Sequence, residues 1–153
     1  FFSPLTNKRT DLYGGEVLNR IRLHLEVIKK VREVVGEEYP VFIRLGASDY
    51  AEGGVTIEDS LIAAKEFEKA GVDVLDISGG LNGYKVENES EEGYFWPLTE
   101  AIKKNTNIPV ILTGGVVSSK GAEELLANGK ADLIGVGRAI LKDSLWAKQA
   151  MEV

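Results

Sequence analysis

Two short segments constrain this chain more than any others. They are Pro109-Val110-Ile111-Leu112-Thr113-Gly114-Gly115 and Ala131-Asp132-Leu133-Ile134-Gly135-Val136-Gly137-Arg138-Ala139. Each opens as an apolar run of strand length, stops at glycine and leads into a stretch with helical periodicity. Strands that end this way and feed a helix are the units of a parallel α/β sheet. Two in succession set two bare backbone turns side by side, the second carrying Arg138. A (β/α) barrel holds a phosphate group in this way after its seventh and eighth strands, since the first N–H groups of a helix have no intrahelical partner.

The rest of the chain fits the same pattern. Residues 1–15 are turn-rich, punctuated by Pro4, Asn7, Asp11, Gly14 and Gly15. Val17, Ile21, Leu25, Ile28, Val31 and Val35 recur at steps of three and four, which predicts a helix over 17–35 closed by Gly36. Strands are predicted over 41–46, 72–78, 108–113 and 133–136. Helices are predicted after them, over 56–70, 95–104, 118–128 and 140–151. Thr56 is the N-cap of the first of these, with Asp59 three residues on. The 14-residue loop 81–94 is long for a compact domain, and loops of that length are usually functional or mobile. The predicted fold class is therefore α/β, with four parallel βα units over 41–153 that amount to the C-terminal half of a (β/α)8 TIM barrel. Alone, such a sheet has two apolar edges and an uncovered inner face. The missing N-terminal half-barrel, or a second copy of this chain in a homo-oligomer, is expected to cover them. The start on Phe1-Phe2 points the same way, to a single half-barrel unit cut from a longer protein.

Composition excludes several functions. A formal charge of −6 argues against nucleic acid or an acidic membrane surface as partner. The absence of Cys removes disulfides and thiolate-ligated metals, and it fits a cytoplasmic location. No apolar run approaches the ~20 residues of a membrane span. No metal-ligand cluster and no Ser/His/Asp set stands out.

A few side chains remain as candidates. Arg44 sits inside the apolar strand Val41–Gly46, where a buried guanidinium needs a partner. It faces either a planar, electron-rich ligand at the barrel mouth or Asp76 on the next strand, and its five donors allow both. Gly114, Gly115, Gly137 and Arg138 form the anion grip, although glycine at such turns also serves positive φ or close packing. Gly79-Gly80 makes room at the same mouth. His24, mid-helix, is expected to be a surface or packing residue rather than a catalyst. Asp49, Glu52 and the acidic run 87–92 are expected to be solvated. Tyr84, Tyr94 and Trp96 flank the long loop, as a substrate wall or, more commonly for such residues, as ordinary packing.

These residues also carry a family resemblance. The segment Phe-Phe-Ser-Pro-Leu-Thr-Asn-Lys-Arg-Thr-Asp-Leu-Tyr-Gly-Gly (1–15), followed by Asn19-Arg20, resembles the signature of the old yellow enzyme family of FMN-containing NAD(P)H:flavin oxidoreductases and ene-reductases. Arg44, Ser78-Gly79-Gly80, Thr113-Gly114-Gly115 and Gly137-Arg138-Ala139 follow in the family's order. Glu16-Val17-Leu18 departs from its usual Ser-Leu-Glu. The resemblance implies that Arg44 contacts the pyrimidine end of the flavin, and that Gly114, Gly115, Gly137 and Arg138 hold the FMN phosphate. It implies hydride transfer from NAD(P)H to flavin and then to a small-molecule substrate, an activated alkene or another acceptor. It also implies that the family's His/His or His/Asn pair and its proton-donating Tyr lie upstream of Phe1. No catalytic residue is then expected within this chain, which is inactive alone. Two other functions share the glycine grip: a flavin-free barrel acting on a sugar phosphate as isomerase or lyase, and a non-enzymatic half-barrel that pairs with itself.

Overall fold

The computed structural model describes residues 1–81, 86 and 91–152. After the N-terminal loop come α1 (Val17–Arg20), α2 (Arg22–Val35), β1 (Phe42–Gly46), α3 (Ile57–Lys69), β2 (Val74–Ser78) and α4 (Trp96–Lys103). They are followed by β3 (Val110–Thr113), α5 (Ser119–Ala127), β4 (Leu133–Gly135), α6 (Arg138–Lys142) and α7 (Trp146–Met151). The strands form one sheet in the order β1-β2-β3-β4, every pairing parallel. Helices alternate with them as the apolar periodicity predicts.

Alternation along the strands divides the sheet into two faces. Leu45, Leu75, Ile77, Val110 and Leu112 are buried beneath Ala63, Ala64, Phe67, Phe95, Leu98 and Ile102 of the helical layer. The opposite face carries Phe42, Arg44, Asp76, Ile111, Thr113 and Leu133, with Phe42 and Leu133 about half exposed. This is the open inner face expected of four βα units.

The helix starts are built locally. The Thr56 hydroxyl accepts from the Asp59 N–H at 3.3 Å, and Ser118 accepts from Gly121 N–H at 3.0 Å. Each satisfies a donor that the first turn leaves orphaned. Two predicted helices are interrupted. The first hitches at Ile21, yet the bonds from Ile21 N to Val17 O and from Leu25 N to Ile21 O run through the hitch. The last divides at Asp143, whose backbone is extended and whose carboxylate accepts from Leu145 N–H at 2.9 Å. An Asp that caps forward offers the chain a turn in place of the next helical bond.

The family-like N-terminal segment is a clamp. Asn7 Nδ2 donates to the carbonyls of Phe1 and Tyr13, both at 2.7 Å. Any side chain at Gly14 would strike the Arg9 backbone. Arg20 is 5% exposed, and it donates to Phe2 O at 3.0 Å and to Asp59 at 2.7 Å, tying the segment to the start of α3. His24 lies between the rings of Phe2 and Phe67, in keeping with a packing role.

Asp49 is not solvated as the sequence suggests. It is 2% exposed, and its carboxylate accepts from Ser3 Oγ (2.6 Å), Val55 N (2.8 Å) and Leu81 N (2.9 Å). Three separate segments therefore meet on one charge above the ends of β1 and β2. Burial by itself pushes this carboxyl up; the Ser3 hydroxyl and the two N–H groups outweigh it and hold it below its ordinary range. Gly54 and Gly80 make the space, since a Cβ at either would collide with Asp49. The room made by Gly80 is thus for Asp49.

Candidate functional site

Parallel strands bring all their C-terminal ends to one edge of the sheet, which is where α/β folds place ligands. A cleft of about 490 Å³ opens there, lined by Arg44, Tyr94, Thr113, Gly114, Gly115, Gly137 and Arg138 among others. All five residues singled out from the sequence share it. A larger cleft, about 830 Å³, lies between α2 and α3 at the opposite edge. There the Arg32 guanidinium is consumed by the carbonyls of Gly36, Tyr39 and Gly71 and by Asp73, so that edge is structural.

The two glycine turns are neighbours because β3 and β4 pair directly, with Thr113 opposite Gly135. Gly137 precedes α6, and a Cβ there would meet no atom within 4 Å. Gly114 and Gly115 differ. Gly115 has φ +72°, and side chains at 114 and 115 would run into the rings of Phe95 and Tyr94 respectively. Aromatic packing accounts for these two glycines as fully as close approach of an anion would. Tyr94 also spans the turns, since Arg138 Nη2 donates to its hydroxyl at 3.1 Å. The contrast predicts that Gly115→Ala lowers stability by at least about 1 kcal/mol, through both φ and the ring collision. Gly137→Ala should leave it nearly unchanged. Urea midpoints of the two variants measure this.

Arg44 is not buried. Its side chain is 57% exposed, because it stands on the open face of the sheet. It pairs with Asp76, its direct neighbour in register, at 3.0 Å. The other Asp76 oxygen accepts from Thr113 Oγ1 at 2.6 Å. A polar rung therefore crosses β1, β2 and β3, holding one edge of the guanidinium while its other donors face the opening. Arg44 and the β4 turn lie three strand spacings apart, roughly 14 Å. The cleft thus offers a planar cation at one end and backbone N–H groups with a second guanidinium at the other.

Glu92, also expected to be solvated, braces the segment between β3 and α5. Its carboxylate accepts from the N–H groups of Val117 (2.7 Å) and Ser118 (2.9 Å) and from Ser118 Oγ (2.8 Å). Burial raises this carboxyl, and the three bonds more than reverse that, so it stays below its ordinary value. Tyr84 lies outside the described residues.

Parallel βα units with a basic, glycine-edged cleft at the carboxyl end of the strands define an α/β barrel-type fold. The chain belongs to the NADH:flavin oxidoreductase / NADH oxidase family, whose model matches residues 1–152. This agrees with the old yellow enzyme resemblance carried by residues 1–20. It is 42% identical to an NADH oxidase of Thermoanaerobacter brockii, over 99% of this chain and 24% of that protein. It is also 42% identical to an NADPH dehydrogenase of Halalkalibacterium halodurans, over 98% of this chain and 44% of that protein. A 2-naphthoyl-CoA reductase structure superposes with a TM-score of 0.89 at 31% identity, covering 99% of this chain and 24% of that one. The chain thus spans between about a quarter and less than half of these relatives. Among the described residues no helix is long and apolar enough to cross a membrane.

Proposed function

We propose that the chain is one half-barrel unit of an FMN-dependent NAD(P)H oxidoreductase, supplying the phosphate end and part of the ring end of the flavin site. The observation that carries this is the meeting of Arg44, Gly114, Gly115, Gly137 and Arg138 in one cleft at the carboxyl edge of the sheet. Family membership does not favour a flavin-free sugar-phosphate barrel or a self-pairing binding module.

The residues present fit FMN by charge and by space. The open backbone at Gly137 admits a phosphate oxygen without obstruction. Gly114, Gly115, Gly137 and Arg138 would hold the phosphate, with the N–H groups supplying donors and Arg138 a charge-assisted bond. Arg44, oriented by Asp76, would meet the electron-rich pyrimidine edge of the ring. Thr113 keeps Asp76 in place. When bound, FMN supplies two-electron hydride chemistry between NAD(P)H and an acceptor. The guanidinium of Arg44 favours negative charge at the ring edge and so favours the reduced state. No group of this chain is assigned as general acid; that role and a small-molecule acceptor site belong to the remainder of the protein, which we place in the cytoplasm.

Flavin fluorescence titration tests the assignment. FMN should bind more tightly than riboflavin, and simple sugar phosphates should compete poorly. Equal affinity for FMN and riboflavin contradicts it. In the full oxidoreductase, Arg44→Gln should weaken FMN binding and lower its reduction potential, read by equilibration with a reference dye. An unchanged potential removes Arg44 from the electrostatics of the ring.

A further inference from the structure

We infer that Tyr94 is itself a phosphate ligand, using its hydroxyl to bind the anion between the two glycine turns; this rests on the FMN reading of the cleft. Tyr94 stands where the turns meet. Its ring lies against Gly115 after β3, and its hydroxyl accepts from Arg138 Nη2 at the start of α6. A guanidinium has donors only, so in this bond the phenol oxygen is the acceptor and its own O–H is left to donate. That O–H lies 3.1 Å from the cation assigned to the phosphate, within the same cleft. An anion drawn to Arg138 therefore arrives within reach of a second, neutral donor.

The hydroxyl is also held in place. The ring meets Phe95 edge-on, with centroids 4.7 Å apart and planes at 77°, and Phe95 is 1% exposed. Gly115 backs the ring on the side where a Cβ would collide with it. Little rotational freedom remains for binding to remove, so the donor is preorganised. This links the glycines to the phosphate by a second route: Gly115 is bare so that Tyr94 can stand over it, and Tyr94 brings the O–H.

A packing role resides in the ring and a binding role in the oxygen, so Tyr94→Phe separates them. The probes are FMN, riboflavin and inorganic phosphate, titrated by calorimetry against the 153-residue chain and the variant. The expected result is a loss of about five- to tenfold in affinity for FMN and phosphate. Riboflavin affinity and the thermal midpoint should stay unchanged. Unaltered FMN affinity in the variant overturns the proposal, as does an equal loss for FMN and riboflavin, which marks a purely structural residue. If the unsubstituted chain binds neither FMN nor phosphate, the reading of the cleft falls first and the role of Tyr94 falls with it. Arg138→Ala run alongside keeps these outcomes apart. If Arg138→Ala weakens FMN and Tyr94→Phe does not, the cleft stands and only Tyr94 is dismissed.

Discussion

Replacing Asp49 with alanine will cost the chain about 3 kcal/mol of stability, the largest single-residue effect expected outside the apolar core. The carboxylate is buried and accepts three hydrogen bonds from Ser3, Val55 and Leu81. Removing it leaves two backbone N–H groups without their acceptor, that of Val55 buried. Asparagine should be nearly as costly. Oδ2 accepts from Ser3 and Val55 and Oδ1 from Leu81, so an amide must point its NH₂ at a donor in either orientation. Ser3→Ala removes a single bond and should cost only about 1 kcal/mol. Urea denaturation of the three variants measures these differences.

The effect has a definite pH dependence. The Asp49 carboxyl is held below its ordinary value in the folded chain. Its contribution is therefore fully present above the unfolded value of about 3.9, and it fades as pH falls through the lower folded value. The gap between the parent chain and Asp49→Ala should be constant from pH 7 to 5 and shrink on further acidification. A gap that widens toward acid contradicts an ionised Asp49.

The second large effect concerns ligand. Arg138→Ala should weaken FMN binding roughly 10- to 100-fold, as expected for loss of a charge-assisted bond worth about 1.5–3 kcal/mol. Riboflavin, which has no phosphate, should bind both proteins alike. Stability should change far less than in Asp49→Ala, because the Arg138 side chain is exposed and Tyr94 keeps its ring contacts. Added salt should narrow the FMN difference, as screening acts on an exposed cation. Flavin fluorescence at two ionic strengths reads both effects.

Much of this architecture is legible in the sequence for local reasons. Apolar runs such as Val110–Thr113 that stop at glycine mark buried strands and the turns after them. Once the strands are parallel and consecutive, adjacency of the Gly115 and Gly137 turns follows. The pairing of Arg44 with Asp76 was legible too, since both stand two residues before a strand end and register makes them neighbours. Exposure of Arg44 was not, because an apolar strand says nothing of which face its neighbours leave open.

Asp49 and Glu92 escaped for a different reason. Each is an acidic residue in a polar loop, where solvation is the ordinary outcome. What buries Asp49 is the convergence of residues 3, 55 and 81, a tertiary fact. A trace of it was present in Gly54 and Gly80, which leave room for the carboxylate from two sides. Tyr94 was legible as a wall or packing residue beside the long loop, but nothing local in Gly93-Tyr94-Phe95 shows that the two rings settle on Gly115 and Gly114. The division of the last helix was signalled by Asp143 and outweighed by the apolar periodicity around it.

Amide NMR of the isotope-labelled chain titrated with FMN tests the phosphate grip most directly. The largest shifts are expected at the N–H groups of Gly115, Gly137, Arg138 and Ala139, with inorganic phosphate moving the same subset and riboflavin sparing it. Shifts centred on Arg32, Gly71 and Asp73 at the opposite edge of the sheet, or the same shifts for riboflavin as for FMN, would contradict it.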